Sequence, residues 1–197
     1  MSAIFNFTFV PWFRSVAPYI HMHRGKTLVV GVPGEAIAAG KLPNIVQDLT
    51  LIHSMGLKII LVYGFRPQVN EQLALKGQQP RYHKGVRITD AVALDCVLEA
   101  AGQLRYEVEA AFSQALPNTP MAGATVKVVS GNFVTARPMG IVDGVDYHHS
   151  GLVRKVDVTL IQQLLDQETI VLLSPLGFSP TGEAFNLSME NVATAIA

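Results

Sequence analysis

The chain has 197 residues, 49% of them hydrophobic and 15% charged, and its 15 Lys and Arg residues balance its 15 Asp and Glu residues. This composition is enough to bury one sizeable core and excludes a disordered chain. The neutral balance gives no long-range electrostatic reason to expect nucleic acid or an anionic membrane as partner, so a small molecule or a protein is expected.

Three features bear on the compartment in which the protein works. The single cysteine, Cys96, excludes an intramolecular disulfide and fits a reducing compartment. Residues 1–10 are apolar but have neither a basic leader nor a small-residue cleavage site, which argues against a secretory signal. No apolar run is long enough to cross a bilayer. We therefore expect a cytoplasmic protein with no membrane partner.

The first part of the chain predicts alternating helices and strands. Apolar residues at helical spacing predict a helix within residues 1–25, with a kink at Pro18. Residues 26–32 and 57–62 are predicted to be buried strands, joined by a helix. That helix has Pro43 in its first turn and ends at Gly56, and a further helix spans residues 67–76. Two strands with a helix between them predict a right-handed βαβ unit in a parallel sheet.

The middle of the chain predicts one long helix. Residues 82–89 are expected to form a short extended segment, and Asp90 is well placed to cap the helix that follows. The apolar spacing of this helix continues to Phe112, and the segment Leu116-Pro117-Asn118 should end it.

The last part predicts a flap and a return to the α/β alternation. Short apolar runs within residues 124–151, separated by turn residues, predict antiparallel hairpins beside the parallel sheet. A helix through residues 156–165 and a strongly apolar strand at 169–173 follow. Residues 188–197 begin a helix that stops without a glycine or a polar cap, so we expect a truncated chain.

The turn Tyr63-Gly64-Phe65-Arg66 directly follows the second predicted strand and is the most informative feature of the sequence. A phosphate-cradling loop needs glycines at this point, because only bare backbone lets N–H groups close on phosphoryl oxygens at a helix N-terminus. The turn contains a single glycine, and we expect the Phe65 side chain to obstruct that approach. A strand followed by such a turn is typical of nucleotide-binding proteins, but the glycines that bind phosphate are missing.

Two motifs resemble those of the amino-acid kinase family. Gly85-Val86-Arg87-Ile88-Thr89 is similar to the glycine-x-arginine-x-threonine motif of that family. Residues 185–195, FNLSMENVATA, resemble the segment that in acetylglutamate kinases carries a substrate-contacting asparagine and a catalytic aspartate. Within the family, residues 130–138 and 146–151 are most similar to the N-acetylglutamate synthase family, and residues 82–87 and 172–177 agree.

The resemblance covers nearly the whole chain and implies its fold and domain organisation. It implies a three-layer α/β fold, amino-acid kinase-like and close to acetylglutamate kinases, with a mainly parallel sheet, a β-hairpin flap and a truncated end. Residues 1–25 would form an N-terminal helix that contacts a neighbouring subunit of a homo-oligomer, and residues 26–197 would form the N-terminal portion of the kinase-like domain. In the synthase family a separate C-terminal acetyltransferase domain follows, which is absent from this chain.

Carried over residue by residue, the resemblance implies that phosphoryl transfer is lost. Gly31 occupies the place of a lysine that stabilises charge on the transferring phosphoryl group in acetylglutamate kinases. Phe65 and Arg66 replace glycines of the phosphate-binding turn, and Glu190 replaces the catalytic aspartate. We expect no catalytic residue in this chain.

The ligand-binding residues implied by the motifs are Arg87, Asn186 and Tyr19. Arg87 can pair bidentately with a carboxylate, although a surface ion pair is an equal alternative. Asn186 can offer a hydrogen-bond donor and an acceptor to a ligand, or it can cap the last helix. The resemblance implies that L-arginine, the end product of arginine biosynthesis, is an allosteric effector. Its site would lie mostly outside this part of the chain, with Tyr19 on the N-terminal helix closing over it.

The remaining expectations concern cofactors. No cofactor is expected in this chain, while acetyl-CoA as co-substrate and glutamate as acceptor belong to the whole protein that the resemblance implies. His148 and His149, with His21 and His23, could suggest a metal, but adjacent histidines in a strand point to opposite faces and no carboxylate or cysteine completes a tetrahedral set, so no metal is expected.

Three hypotheses remain open at this point. The chain is the N-terminal, regulatory part of an acetyltransferase of the synthase family, or part of a divergent acetylglutamate kinase, or a free-standing amino-acid-binding module.

Overall fold

The computed structural model describes residues 9–114 and 126–197. The helices in these residues are α1 (Phe9–His23), α2 (Gly34–Ala38), α3 (Leu42–Ser54), α4 (Arg66–Leu75), α5 (Ala91–Ser113), α6 (Val158–Asp166) and α7 (Met189–Ile196). The strands are β1 (Thr27–Val32), β2 (Lys58–Tyr63), β3 (Tyr82–His83), β4 (Val86–Arg87), β5 (Lys127–Ser130), β6 (Val134–Pro138), β7 (Ile141–Val142), β8 (Val145–Asp146), β9 (Gly151–Val156), β10 (Thr169–Leu173), β11 (Leu176–Phe178) and β12 (Ala184–Asn186).

The central sheet is parallel, in the order β1-β2-β10-β5. Its register places Val29, Ile60, Val171 and Val129 in one row across the four strands. Helices and a second sheet cover the two faces of this sheet, so the sheet has no solvated face. The strands are therefore mostly apolar and do not alternate between apolar and polar residues.

Two apolar clusters lie on the opposite faces of the central sheet. Along β2, Ile59 and Leu61 belong to the cluster that α3, α4 and α5 cover, whereas Ile60 and Val62 belong to the cluster with α6, α7 and β6. This alternation follows from the period of two along a strand, which sends successive side chains to opposite faces. The fold therefore has three layers.

A second sheet, in the order β12-β11-β6-β9, stands beside the first. Strand β6 pairs antiparallel with β9 and β11 antiparallel with β12, while β7 and β8 form a short hairpin. Isolated bridges join Thr89 to His148 and Ser150 to Asn186. They tie the segment that precedes α5 to this second sheet.

Most predicted elements are confirmed, together with the three-layer α/β class and its mainly parallel central sheet. The neighbouring parallel pair of β1 and β2 is present, and Pro18 lies inside α1. Asp90 caps α5, because its Oδ1 accepts a hydrogen bond from the Ala93 backbone N–H at 2.9 Å. The predicted stop at Leu116-Pro117-Asn118 lies outside the described residues.

The hairpin predicted from residues 125–129 is wrong. Strand β5 is instead an edge of the central sheet and pairs parallel with β10. Val128 packs against one apolar cluster and Val129 against the other, so both faces of β5 are in contact with the core. A run this short does not reveal pairing direction, because direction is set by distant chain segments. The prediction also missed α2 and placed Val156 in a helix, whereas it ends β9.

One step of the histidine argument also needs correction. His148 has a φ of 50° and forms an isolated bridge with Thr89 outside the named strands, so the strand geometry assumed for the two histidines does not apply. Within residues 9–114 and 126–197, no group of three or more His, Cys, Asp or Glu residues could hold a metal ion. In the same part of the chain, the helices are all too short or too polar to span a bilayer.

Packing between the second sheet's strands predicts a sharp glycine requirement at Gly151. A Cβ there would lie 2.7 Å from the Phe185 Cβ and 2.9 Å from the Arg137 carbonyl oxygen. We expect Gly151→Ala to lower the free energy of unfolding by about 1–3 kcal/mol through overpacking. Urea unfolding of the chain, followed by circular dichroism, measures it.

Gly102→Ala is the matched control for this substitution. Gly102 lies inside α5, and a Cβ there meets nothing within 4 Å. It should raise the free energy of unfolding by up to about 1 kcal/mol, since alanine favours a helix over glycine. Equal effects of the two substitutions would contradict the packing described for Gly151.

Candidate functional site

A cavity of about 400 Å³ lies at the carboxyl ends of β1, β2 and β10. In open α/β sheets, ligands bind at this edge, because the loops there diverge toward helices on opposite faces. The residues that line the cavity come from the loops after β1 and β2, from β4 and β9, and from the start of α7. Segments far apart in sequence thus meet around one space.

Gly34 and Gly64 let the two loops after β1 and β2 touch. The Gly64 N–H donates to the Val32 carbonyl at 2.8 Å. A Cβ on Gly34 would lie 2.9 Å from the Gly64 carbonyl oxygen, and one on Gly64 would lie 3.1 Å from the Gly34 nitrogen. Both glycines are therefore needed for close approach of backbone to backbone.

Phe65 does not act as the sequence predicted. Its side chain is buried in the apolar cluster covered by α3, α4 and α5. The ring is thus a core residue at the start of α4, and the expectation that a free ring obstructs the turn is corrected. Arg66, the next residue, is exposed and lies on the cavity wall.

Arg87 is a buried cation on the cavity wall, with 7% of its surface exposed. Its Nη2 donates to the Asn70 Oδ1 at 2.7 Å and to the Arg66 carbonyl at 3.3 Å. The Tyr82 ring packs on the guanidinium, with 4.9 Å between the Arg87 Cζ and the ring centroid. The Arg87 Nη1 is buried and has no hydrogen-bond partner.

The charge of Arg87 is left without a counterion. Among the ion pairs of residues 9–114 and 126–197, none involves Arg87, so the alternative of a surface ion pair is wrong. Burial lowers the pKa of Arg87, since desolvation disfavours the charged form. The two contacts of Nη2 use both of its hydrogens, so a carboxylate would be bound by Nη1 and not by the two-nitrogen fork expected from the sequence.

Buried hydroxyl groups connect Arg87 to Asn186. The Ser150 Oγ donates to the Arg87 carbonyl at 2.5 Å and lies 2.8 Å from the Thr89 Oγ1. The Asn186 Nδ2 donates to the same Thr89 oxygen at 3.0 Å. Asn186 does not cap the last helix, because Ser188 does: its Oγ accepts from the Asn191 N–H at 3.2 Å.

Glu190 lies at the N-terminal turn of α7 and on the cavity wall. The Ser188 Oγ donates to the Glu190 Oε2 at 2.6 Å. This hydrogen bond is the main cause that holds the pKa of Glu190 below its ordinary value, and the residue's own backbone N–H and the charge of Arg66 add to it. The carboxylate is therefore ionised and faces the same cavity as Arg66.

The structure brings most of the sequence-predicted residues together and leaves two outside. Arg87, Asn186, Phe65, Arg66 and Glu190 line one cavity. Gly31 lies on β1, is exposed and does not line the cavity, and a Cβ there would be 3.5 Å from the Met189 Cε. Tyr19 lies on α1, is 62% exposed and does not line the cavity.

Sequence reasoning missed Asn70, Tyr82 and Ser150. The hydrogen bond between Arg87 and Asn70 joins residues 17 positions apart, and the one between Ser150 and Arg87 joins residues 63 apart. Neither distance follows a helical or strand period. Tyr82 and Ser150 lie in the segments 82–87 and 146–151 that carry the family resemblance, and their place in those segments was the signal available from the sequence.

Comparison with known proteins places the chain among related enzymes. It is 62% identical, over 94% of its length, to the amino-acid acetyltransferase of Ralstonia nicotianae and 53% identical, over 96%, to that of Ectopseudomonas mendocina. It covers 41% and 44% of those two relatives, so the chain spans less than half of their length. The resemblance to the N-acetylglutamate synthase family is thereby confirmed.

Solved structures agree with the sequence relatives. N-acetylglutamate synthase from Neisseria gonorrhoeae, complexed with coenzyme A and L-arginine, superposes with a TM-score of 0.89 at 37% identity, over 96% of this chain and 44% of that one. Giardia carbamate kinase has a TM-score of 0.60 at 14% identity, over 88% and 70%, which shows the shared fold alone. Residues 26–197 match the model of the amino acid kinase family. The chain belongs to the amino acid kinase family.

Proposed function

We propose that this chain is the N-terminal, kinase-like part of an N-acetylglutamate synthase, the enzyme that transfers an acetyl group from acetyl-CoA to L-glutamate at the start of arginine biosynthesis. The observation that carries the proposal is the 62% identity to an amino-acid acetyltransferase over 94% of this chain. In this part of the protein, the role is to bind a ligand and to regulate, and phosphoryl transfer is lost.

In the whole enzyme, the glutamate α-amine attacks the acetyl-CoA thioester. A general base accepts the amine proton, and hydrogen-bond donors stabilise the oxyanion before the thiolate of coenzyme A leaves. Acetyl-CoA is a co-substrate of the whole protein, which the coenzyme A bound in the Neisseria structures supports. We assign none of these catalytic groups to this chain.

The loss of phosphoryl transfer is supported by the cavity wall. A transferring phosphoryl group needs cations or metal ions around its oxygens. The position of the kinase lysine is Gly31, and Glu190 adds an ionised carboxylate to the wall. Lys84 also lines the cavity, but its Nζ pairs with the Asp143 Oδ2 at 2.5 Å. Phosphate oxygens would therefore lack the expected lysine, and the Glu190 carboxylate would offset the charge of the nearby Arg66.

We assign L-arginine to this domain as an allosteric effector and the protein to a homo-oligomer. The support is that the Neisseria synthase was crystallised with L-arginine and is 37% identical to this chain. The effector would contact the N-terminal helix, where Tyr19 and Met22 are 62% and 51% exposed. A ligand that touches both a helix and its domain biases the arrangement of subunits when it binds the alternatives with different affinity.

The cavity itself is assigned a second, acidic ligand. Arg87 supplies a buried positive charge with a free nitrogen, and Asn186 lies beside it through the Thr89 hydroxyl. A carboxylate is the anion of an amino acid or an N-acyl amino acid, and it accepts the charge-assisted hydrogen bonds that a guanidinium donates. N-acetyl-L-glutamate is the probe of this class that also fits the proposed pathway.

Acetyl transfer is tested on the gene product that contains this chain. We expect turnover of acetyl-CoA and L-glutamate, measured as free coenzyme A thiol, and a change in turnover when L-arginine is added. The chain of residues 1–197 alone should release no thiol with these substrates and no ADP with ATP and N-acetyl-L-glutamate. ADP release that depends on N-acetyl-L-glutamate would move the assignment to a kinase.

Carboxylate binding is tested with Arg87→Gln. Because the substitution removes the buried cation, binding of N-acetyl-L-glutamate to the chain should weaken by at least about tenfold, which corresponds to about 1.4 kcal/mol. Isothermal titration calorimetry measures the affinity, and urea unfolding checks that the variant is folded.

Arg154→Gln is the control, since Arg154 is exposed on β9 and does not line the cavity. It removes the same charge from the surface and should bind N-acetyl-L-glutamate as the unsubstituted chain does. If both variants bind N-acetyl-L-glutamate equally well, the ligand carboxylate does not bind to Arg87.

A further inference from the structure

Asn70 binds both Arg87 and the tyrosine that packs on the Arg87 guanidinium. Its Oδ1 accepts a hydrogen bond from the Arg87 Nη2 at 2.7 Å and another from the Tyr82 hydroxyl at 3.1 Å. An amide oxygen has two lone pairs, and both are used here. Asn70 lies on α4 and Tyr82 on β3, so this one oxygen connects a helix, a hairpin and the buried cation.

The second feature is that Asn70 is neutral. A buried arginine is ordinarily paired with a carboxylate, because an unpaired charge in a low-dielectric interior is costly. Asn70 orients the guanidinium without neutralising it, and no ion pair of Arg87 occurs in the described parts of the chain. The positive charge is therefore retained and fixed in place.

The remaining contacts decide which nitrogen is free. Both hydrogens of Nη2 are engaged, by Asn70 and by the Arg66 carbonyl. The Tyr82 ring packs on the guanidinium. The Nη1 group of this cavity-lining residue is buried without a partner. An arginine held in this way can donate to an incoming anion without first breaking an internal ion pair.

We propose that Asn70 is the residue that determines the specificity of the cavity for a carboxylate, because its neutral amide anchors Arg87 and leaves the charge for the ligand. This inference rests on the carboxylate site proposed above. Asn70 is a positioning residue, since it acts through Arg87. A carboxylate in its place would satisfy the same two hydrogen bonds and would neutralise Arg87 from within.

The experiment compares Asn70→Asp with Asn70→Ala in the chain. Asn70→Asp keeps the shape and the acceptor of the side chain but adds a charge, whereas Asn70→Ala removes the acceptor and leaves Arg87 charged. Calorimetric titration with N-acetyl-L-glutamate and, separately, with sodium acetate gives the affinities. Urea unfolding gives the stability of each variant.

The expected order of affinity is opposite to the order of structural disturbance. Asn70→Asp should weaken binding of both probes by at least about tenfold while the chain stays as stable as before, because an internal carboxylate competes for the same charge. Asn70→Ala should weaken binding less, although it removes more atoms. A purely structural role predicts the reverse order.

Asn132→Asp is the matched control, because Asn132 is exposed in the loop after β5 and lies outside the cavity wall. It changes the net charge by the same amount and should leave both affinities unaltered. If Asn70→Asp binds the probes as tightly as the unsubstituted chain, or more tightly than Asn70→Ala does, the proposed role of Asn70 is wrong. The carboxylate site is not affected by that outcome. An unsubstituted chain that binds neither probe overturns the carboxylate site, and this inference with it.

Discussion

A buried guanidinium with one anchored and one unpartnered nitrogen is the constraint around which this end of the fold is arranged. Arg87 lies on β4, a strand of two residues, which is too short to fix the position of a long side chain by itself. Neighbouring elements therefore hold it: Asn70 and the Arg66 carbonyl from α4, the Tyr82 ring from β3, and Ser150, which binds the Arg87 carbonyl. These hydrogen bonds and the ring packing offset part of the cost of desolvating the charge.

The rest of the scaffold has the layout of the amino acid kinase family, and we propose that only part of the chemistry of that family remains. The loops after β1 and β2 pack backbone to backbone through Gly34 and Gly64, at the edge where open α/β sheets bind ligands. The side chains that face this cavity include an ionised Glu190 beside the exposed Arg66. Binding needs only complementarity to a ground state, whereas phosphoryl transfer needs charge placed for a transition state. Under the proposed function, this difference would let the fold keep a ligand site without phosphoryl transfer.

Local signals predicted the local features of this structure. The strand over β2, the helix α3 between Pro43 and Gly56, and the Asp90 cap all depend on residues within a few positions of one another, and all are present. The direction of β5 and the anchoring of Arg87 by Asn70 depend on contacts between distant segments, which no period of two or 3.6 encodes. The motif around Arg87 singled out a cation that lines the cavity, but only the structure shows that both Nη2 hydrogens are already used and that Phe65 is a core residue.

The most direct measurement is a crystal structure of the chain with N-acetyl-L-glutamate. The account predicts a ligand carboxylate oxygen within about 3 Å of the Arg87 Nη1, with Asn70 still bound to Nη2 and Tyr82 still packed on the guanidinium. A ligand bound elsewhere, with Nη1 turned to a protein carbonyl or to a carboxylate of the chain, would contradict it.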